Sequence, residues 1–186
     1  MGWLRDLFPS HSVEFHLALC NPATLIPTIA LRHGAQDYET ITAGADPASL
    51  SWLSTIRKTL QANPATTLTL WCNEDTPLIW PELLRSLAAL PPKVALEGDL
   101  DMVEALLSEE GSAVLRDSLR DLPSLDVTSR RDKISAALES YGKPEEMAVD
   151  VSLPGWSGEL ISRMTTRYVA DCAEIAKLPG VKFIAP

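Results

Sequence analysis

Residues 13–27 read VEFHLALCNPATLIP, and residues 66–81 read TTLTLWCNEDTPLIWP. Each stretch is an apolar run, then Cys-Asn, then polar and proline-bearing residues, then a helix-like segment. In the first, Val13, Phe15, Leu17 and Leu19 alternate with Glu14, His16 and Ala18, which is the period of a strand. The second, over 66–72, is rich in β-branched and aromatic residues. Two strand-to-helix corners of this kind put their loops on one edge of a parallel sheet, where α/β proteins keep their ligand sites. The pair therefore predicts an α/β fold, with a small, mainly parallel sheet and helices on both faces.

Outward from these corners, a short helix is expected over Trp3 to Phe8. A helix after the first corner runs to His33 and closes at Gly34. It either starts at Pro22 and kinks at Pro27, or starts near Pro27 and leaves 21–26 as a loop. Residues 34–47 read as an irregular connection. A helix over Pro47 to Ala62 carries Leu50, Leu53, Ile56 and Leu60 on one face. Trp80 and Pro81 open a further helix that ends near Leu90, and Lys93 to Leu96 is a candidate short strand. From Asp99 the pattern is helical, with Gly111 read as a break. Ser129 with Asp132 caps the next helix, and Gly142 stops it. Ser157 starts a long helix whose core face is Ile161, Met164, Tyr168, Cys172 and Ile175. Gly180 ends that helix, and Val181 to Ile184 follow as a final strand or tail. The expected organisation is one domain, with an α/β part over 1–98 and a helical part over 99–186 packed on it.

A chain of 186 residues with 46% hydrophobic and 22% charged residues can bury a single core. The formal net charge of -9 argues against a phosphate-tracking nucleic-acid binder, which needs a basic face. It leaves room for a small anion, because a helix N-terminus binds phosphate without net positive charge. No apolar run reaches the length of a membrane span, and residues 1–12 lack the apolar core of a secretory signal. Cys20, Cys72 and Cys172 are odd in number and far apart, which suits thiols in a reducing cytoplasm.

The sequence has no phosphate loop of the GxxxxGK[ST] type, no GxGxxG, no CxxC and no HExxH. His11, His16 and His33 do not have the spacing of a zinc site. Cys20 and Cys72 read either as paired thiols on the ligand edge or as small buried hydrophobes. Asn21 reads as a helix cap or a ligand contact, and Thr28 as a phosphate contact or a donor to a helix carbonyl. Glu74 and Asp75 follow a strand end, where they serve either as acid–base groups or as partners of a helix dipole. Arg130 and Arg131 read as a solvated helix start, and Trp52, Trp71, Trp80 and Trp156 as packing residues.

With its lead-in, the first corner resembles the PAPS-dependent sulfotransferases. In that family a leucine-rich helix ends in an LFP turn and leads into an apolar strand. The strand ends in Arg-Asx-Pro, and a Ser follows eight residues after the Arg. Leu4, Leu7, Phe8 and Pro9 match the lead-in, Asn21 and Pro22 match Asx-Pro, and Thr28 falls at the Ser position. Glu74 and Asp75 match a later strand end. The resemblance covers about the first half of the chain. It implies PAPS or its bisphosphate product as cofactor, held near Cys20, Asn21 and Thr28. The departures are large. Cys20 stands where the family has its phosphate-binding Arg and cannot fork onto a phosphate. The phosphate loop, the catalytic base and the later glycine-rich loop have no counterpart.

The resemblance thus implies a degenerate or truncated sulfotransferase-like protein with a weak anion site and no catalysis of its own. The alternative is an interaction or assembly module, in which a second copy or a partner chain completes the thin sheet. A thiol-dependent enzyme using Cys20 is a third reading.

Overall fold

The computed structural model describes residues 2–34, 37–64, 66–92, 94–120, 126–148 and 153–186. In chain order the elements are α1 (Gly2–Asp6), β1 (Phe15–Leu19), α2 (Pro22–His33), α3 (Tyr38–Thr42), α4 (Trp52–Ala62), β2 (Leu68–Cys72), α5 (Thr76–Leu87), α6 (Asp101–Glu104), α7 (Glu109–Leu119), α8 (Val127–Tyr141), α9 (Pro144–Met147), α10 (Gly158–Ile175) and β3 (Val181–Phe183). Single 3-10 turns at Pro47–Ser49 and Asn73–Asp75 precede α4 and α5. The strands form one parallel sheet in the order β1-β2-β3, and the C-terminal half is rich in helix, as an α/β fold requires.

The chain packs as two compact units. One comprises Met1–Asn73 and Asp150–Phe183, the other Glu74–Val149 and Ile184–Pro186. Neither boundary falls at residue 99.

In the first unit the alternation of β1 and β2 sends Leu19, Leu68 and Leu70 to one face of the sheet. There they pack on Ile56 of α4 and on Tyr168, Cys172 and Ile175 of α10. Each such aliphatic side chain contributes about 1.5–3 kcal/mol when fully buried. Parallel strands cannot be joined by a hairpin, and α4 and α10 lie in the crossovers that lead into β2 and β3. The Tyr168 hydroxyl donates to the Leu19 carbonyl at 2.8 Å, which ties α10 to the end of β1. A second cluster joins Ala23 and Ile26 of α2 to Trp156 and Met164.

Helix α2 begins at Pro22 and runs through Pro27. Pro27 has no N–H to give the Ala23 carbonyl, and an interior proline normally breaks a helix for that reason. Here the Trp156 indole donates to that same carbonyl at 3.0 Å and replaces the missing bond. Gly34 closes the helix in the left-handed region, with φ of 66°.

The second unit is helical. Val103, Leu107, Leu115, Ile134 and Ala137 form its core, with Leu78 of α5 against them. Gly111 does not break a helix, contrary to its sequence reading. The break lies at Ser108, whose Oγ accepts from the Gly111 N–H at 3.1 Å and caps α7. Glycine stands at 111 because a Cβ there would collide with the Cβ of Tyr141 on α8.

Other boundaries also move. Tyr38–Thr42 is a short helix within the expected irregular connection, capped by Asp37. The Pro47–Ala62 helix divides at Ser51, which caps α4. Helix α5 opens at Thr76, since Pro77 suits a first turn where no N–H is needed. Asp126, rather than Ser129, caps α8. Residues 94–96 are not a strand, and Lys93 lies outside the described residues.

Candidate functional site

At the carboxyl end of β1 the Cys20 carbonyl accepts the Trp52 indole N–H at 2.8 Å, which fixes the start of α4 beside the start of α2. Asn21 follows in extended backbone and spends its side chain in two directions. Its Oδ1 accepts the Ala23 N–H at 3.0 Å, and its Nδ2 donates to Thr165 Oγ1 of α10 at 3.0 Å. Its backbone carbonyl accepts from the N–H groups of Thr24 (3.0 Å) and Leu25 (2.9 Å) and from Thr24 Oγ1 (3.0 Å).

These bonds decide what the corner can hold. A helix N-terminus binds anions through first-turn N–H groups that have no partner within the helix. In α2 the first of these positions is Pro22, which has no N–H. The next, Ala23, is capped by Asn21, and those of Thr24 and Leu25 are already bonded. Thr28, one turn further along, is exposed and donates to the Thr24 carbonyl at 2.8 Å. The structure therefore brings Cys20 and Asn21 together at the corner and leaves Thr28 on the exposed face of α2. An incoming phosphate would have to displace bonds that hold α2 and α10 in place.

Beside the corner lies a groove of about 200 Å³, walled by Pro22, Leu25, Ile26, Leu50 and Trp52. Its polar members, Ser51 and Thr55, are already bonded. The Ser51 hydroxyl donates to Asp171 at 2.7 Å, and that of Thr55 donates to the Ser51 carbonyl at 3.1 Å. Asp171, only 7% exposed, also accepts the Leu53 N–H at 3.1 Å and anchors the start of α4. The groove thus presents apolar walls with no charged side chain among its lining residues.

The second corner behaves differently. Within the helical unit, burial pushes the Asp75 carboxyl above its ordinary value. The charge of Glu74 adds to this, and that of Arg131 opposes it. Arg131 lies 3.6 Å from Glu82, and Arg130 donates to Asp99 at 3.0 Å. Both arginines are largely buried, and the Nε of each has no hydrogen-bond partner. They are not the solvated helix start that the sequence suggests. The missed signal was their position: two cations at a helix N-terminus oppose its dipole, and so call for carboxylates close by.

One further polar group lies on the sheet. The Thr69 hydroxyl donates to Glu14 Oε1 at 2.5 Å, and His16 Nε2 stands 3.6 Å from the same oxygen. The hydroxyl donates its hydrogen bond to the carboxylate and not to the imidazole. The group also sits where β1 begins, at the opposite end from the carboxyl edge.

None of the three cysteines is in a disulfide. Cys72 packs on the sheet core and Cys172 is buried in α10. Among the described residues no three His, Cys, Asp or Glu side chains assemble as a metal-ligand set, and no helix is long and apolar enough to cross a membrane. Comparison of the chain with family models, curated proteins and solved structures finds no match.

Proposed function

We propose that this protein is a non-catalytic interaction module built on a small α/β sheet, working through its surface and not through a bound nucleotide. The observation that carries this reading is the apolar N-terminal segment. Trp3, Leu7 and Phe8 are 67%, 60% and 52% exposed, on and just after α1. Three large apolar side chains exposed within six residues of chain give a partner an apolar surface to cover. The polar groups of the first corner support the same reading, since each is already bonded within the fold. The adjacent groove is apolar.

The test is isothermal titration with adenosine 3′,5′-bisphosphate at millimolar ligand, alongside thermal unfolding. The expected result is no saturable heat and no thermal shift. Saturable binding would overturn the reading.

A second reading, a sulfotransferase-derived chain with a weak anion site, is favoured by one observation. Asn21 and Pro22 open α2 directly at the carboxyl end of β1, where the resemblance would put a nucleotide phosphate. That reading needs the Asn21 cap to open on binding, and the same titration would detect it.

A further inference from the structure

We infer that β1 is a self-pairing edge: two copies of this chain join antiparallel along Phe15–Leu19 and make one continuous six-stranded sheet. The inference rests on the reading of the chain as an interaction module and names its partner as a second copy.

Strand β1 is an edge of the described sheet. The Phe15 N–H bonds the Thr67 carbonyl, so by alternation Phe15, Leu17 and Leu19 turn their backbone groups toward β2. His16 and Ala18 turn theirs outward, away from the only strand that pairs with β1 among the described residues. Natural edges are blunted by shortness, by lysine, by proline or by a bulge. The other edge, β3, has three residues with Lys182 at its centre. Strand β1 has five residues and none of these devices. Its residues Phe15 to Ala18 are only half-buried, whereas Leu68 to Leu70 of β2 are buried.

The sequence of β1 is also self-complementary. A two-fold axis at Leu17 sets Leu17 against its own copy, Phe15 against Leu19 of the second copy, and His16 against Ala18 of the second copy. Every apolar residue of the core face then meets an apolar residue, as an isologous interface requires. On the other face the imidazole meets a methyl group. His16 and Ala18 become the hydrogen-bonded pairs, and these are the residues whose backbone groups point outward. A five-residue edge falls at the small end of specific interfaces, below about 1,200 Å², so pairing should depend on concentration.

The test is sedimentation velocity on the full chain from micromolar to millimolar concentration, with residue-resolved amide exchange at both ends of that range. The expected result is a monomer that becomes a dimer. The His16 and Ala18 amides should slow at least tenfold as the dimer forms, while Leu17 and Leu19 are slow throughout. Ala18→Pro removes an outward N–H that the β1–β2 ladder does not use, and should abolish the dimer. Ala18→Lys, which keeps the N–H, should weaken it. The exchange measurement needs no variant, so a failure of Ala18→Pro to fold leaves the inference testable. A monomer at every concentration overturns it, as does a dimer in which His16 and Ala18 exchange freely. Saturable bisphosphate binding would instead overturn the functional reading and leave the edge result standing.

Discussion

Leu19 stands opposite Cys72 across the β1–β2 ladder, so Cys20 lies one residue beyond the position that matches Cys72. The two Cys-Asn corners align in sequence but are offset by one residue in the sheet. A one-residue offset turns a side chain to the other face. Cys72 packs in the sheet core, and the alternation of β1 carried one residue further sends Cys20 the opposite way. Side chains that point apart are not bridged without movement of the backbone. Mild oxidation should therefore yield no Cys20–Cys72 disulfide. Peptide mapping by mass spectrometry under non-reducing conditions checks this, and a Cys20–Cys72 peptide would count against the register.

Asn21 holds α2 and α10 at once. Asn21→Ala removes the cap and leaves Thr165 without its donor, for a loss of about 1–2 kcal/mol in urea unfolding. Asn21→Asp keeps an acceptor for the Ala23 N–H but cannot donate to Thr165, so its loss should be smaller. No loss in Asn21→Asp would show that the tie to α10 contributes nothing, and equal losses in the two variants would show the same of the cap.

Asp171 is a carboxylate in the core whose role is to anchor α4. Removing it leaves the Leu53 N–H and the Ser51 hydroxyl without their partner. Asp171→Ala should cost about 3 kcal/mol, and Ser51→Ala about 1 kcal/mol. The double variant should cost less than the sum, because the two residues share a bond. Additive losses in chemical denaturation would refute the coupling.

Gly111→Ala sets two effects against each other. Alanine favours a helix interior over glycine by about 1 kcal/mol. Its Cβ would collide with Tyr141, and overpacking of this kind costs about 1–3 kcal/mol. Crowding should win, and the variant should melt below the parent. Tyr141→Ala keeps the colliding Cβ and should not rescue the variant, whereas adding Gly111→Ala to a Tyr141→Gly background should recover the helical gain, and calorimetry of the set distinguishes the two effects.

Two carboxylates give opposite pH signatures. The folded pKa of Asp75 is raised, so its contribution is full below the ordinary value of 3.8 and is lost as pH rises through the raised folded value. Asp75→Asn should therefore gain stability relative to the parent over that rise. Hydrogen bonds from Ser129 lower the folded pKa of Asp126, so its contribution is present above 3.8 and lost as pH falls through the lowered value. Asp126→Ala should flatten the acid limb. Urea midpoints measured from mildly acidic to neutral pH, and then into acid, check both signs.

What the sequence revealed was local. The alternation of β1, the β-branched run of β2 and the core face of α10 at Met164, Tyr168, Cys172 and Ile175 all follow from periodicity within one element. What it hid depends on partners far along the chain. Pro27 suggests a kink until Trp156 is seen to take the Ala23 carbonyl. Arg130 suggests a solvated residue until Asp99 is beside it. Asn21 was legible as a cap, but its tie to Thr165 has no local signal. The strand offset is invisible in either corner alone, because only pairing defines a register.

The division of the chain into two units bears on how the protein is made. The sheet unit draws on both Met1–Asn73 and Asp150–Phe183, whereas nearly all of the helical unit is the continuous stretch Glu74–Val149. A ribosome delivers β1 and β2 before the helical stretch, and α10 and β3 after it. The helical unit can collapse on local contacts while synthesis continues. The apolar faces of β1 and β2 must wait, uncovered by α10, while the intervening helical stretch is made. That interval is when the nascent chain is most exposed to aggregation and most in need of a chaperone.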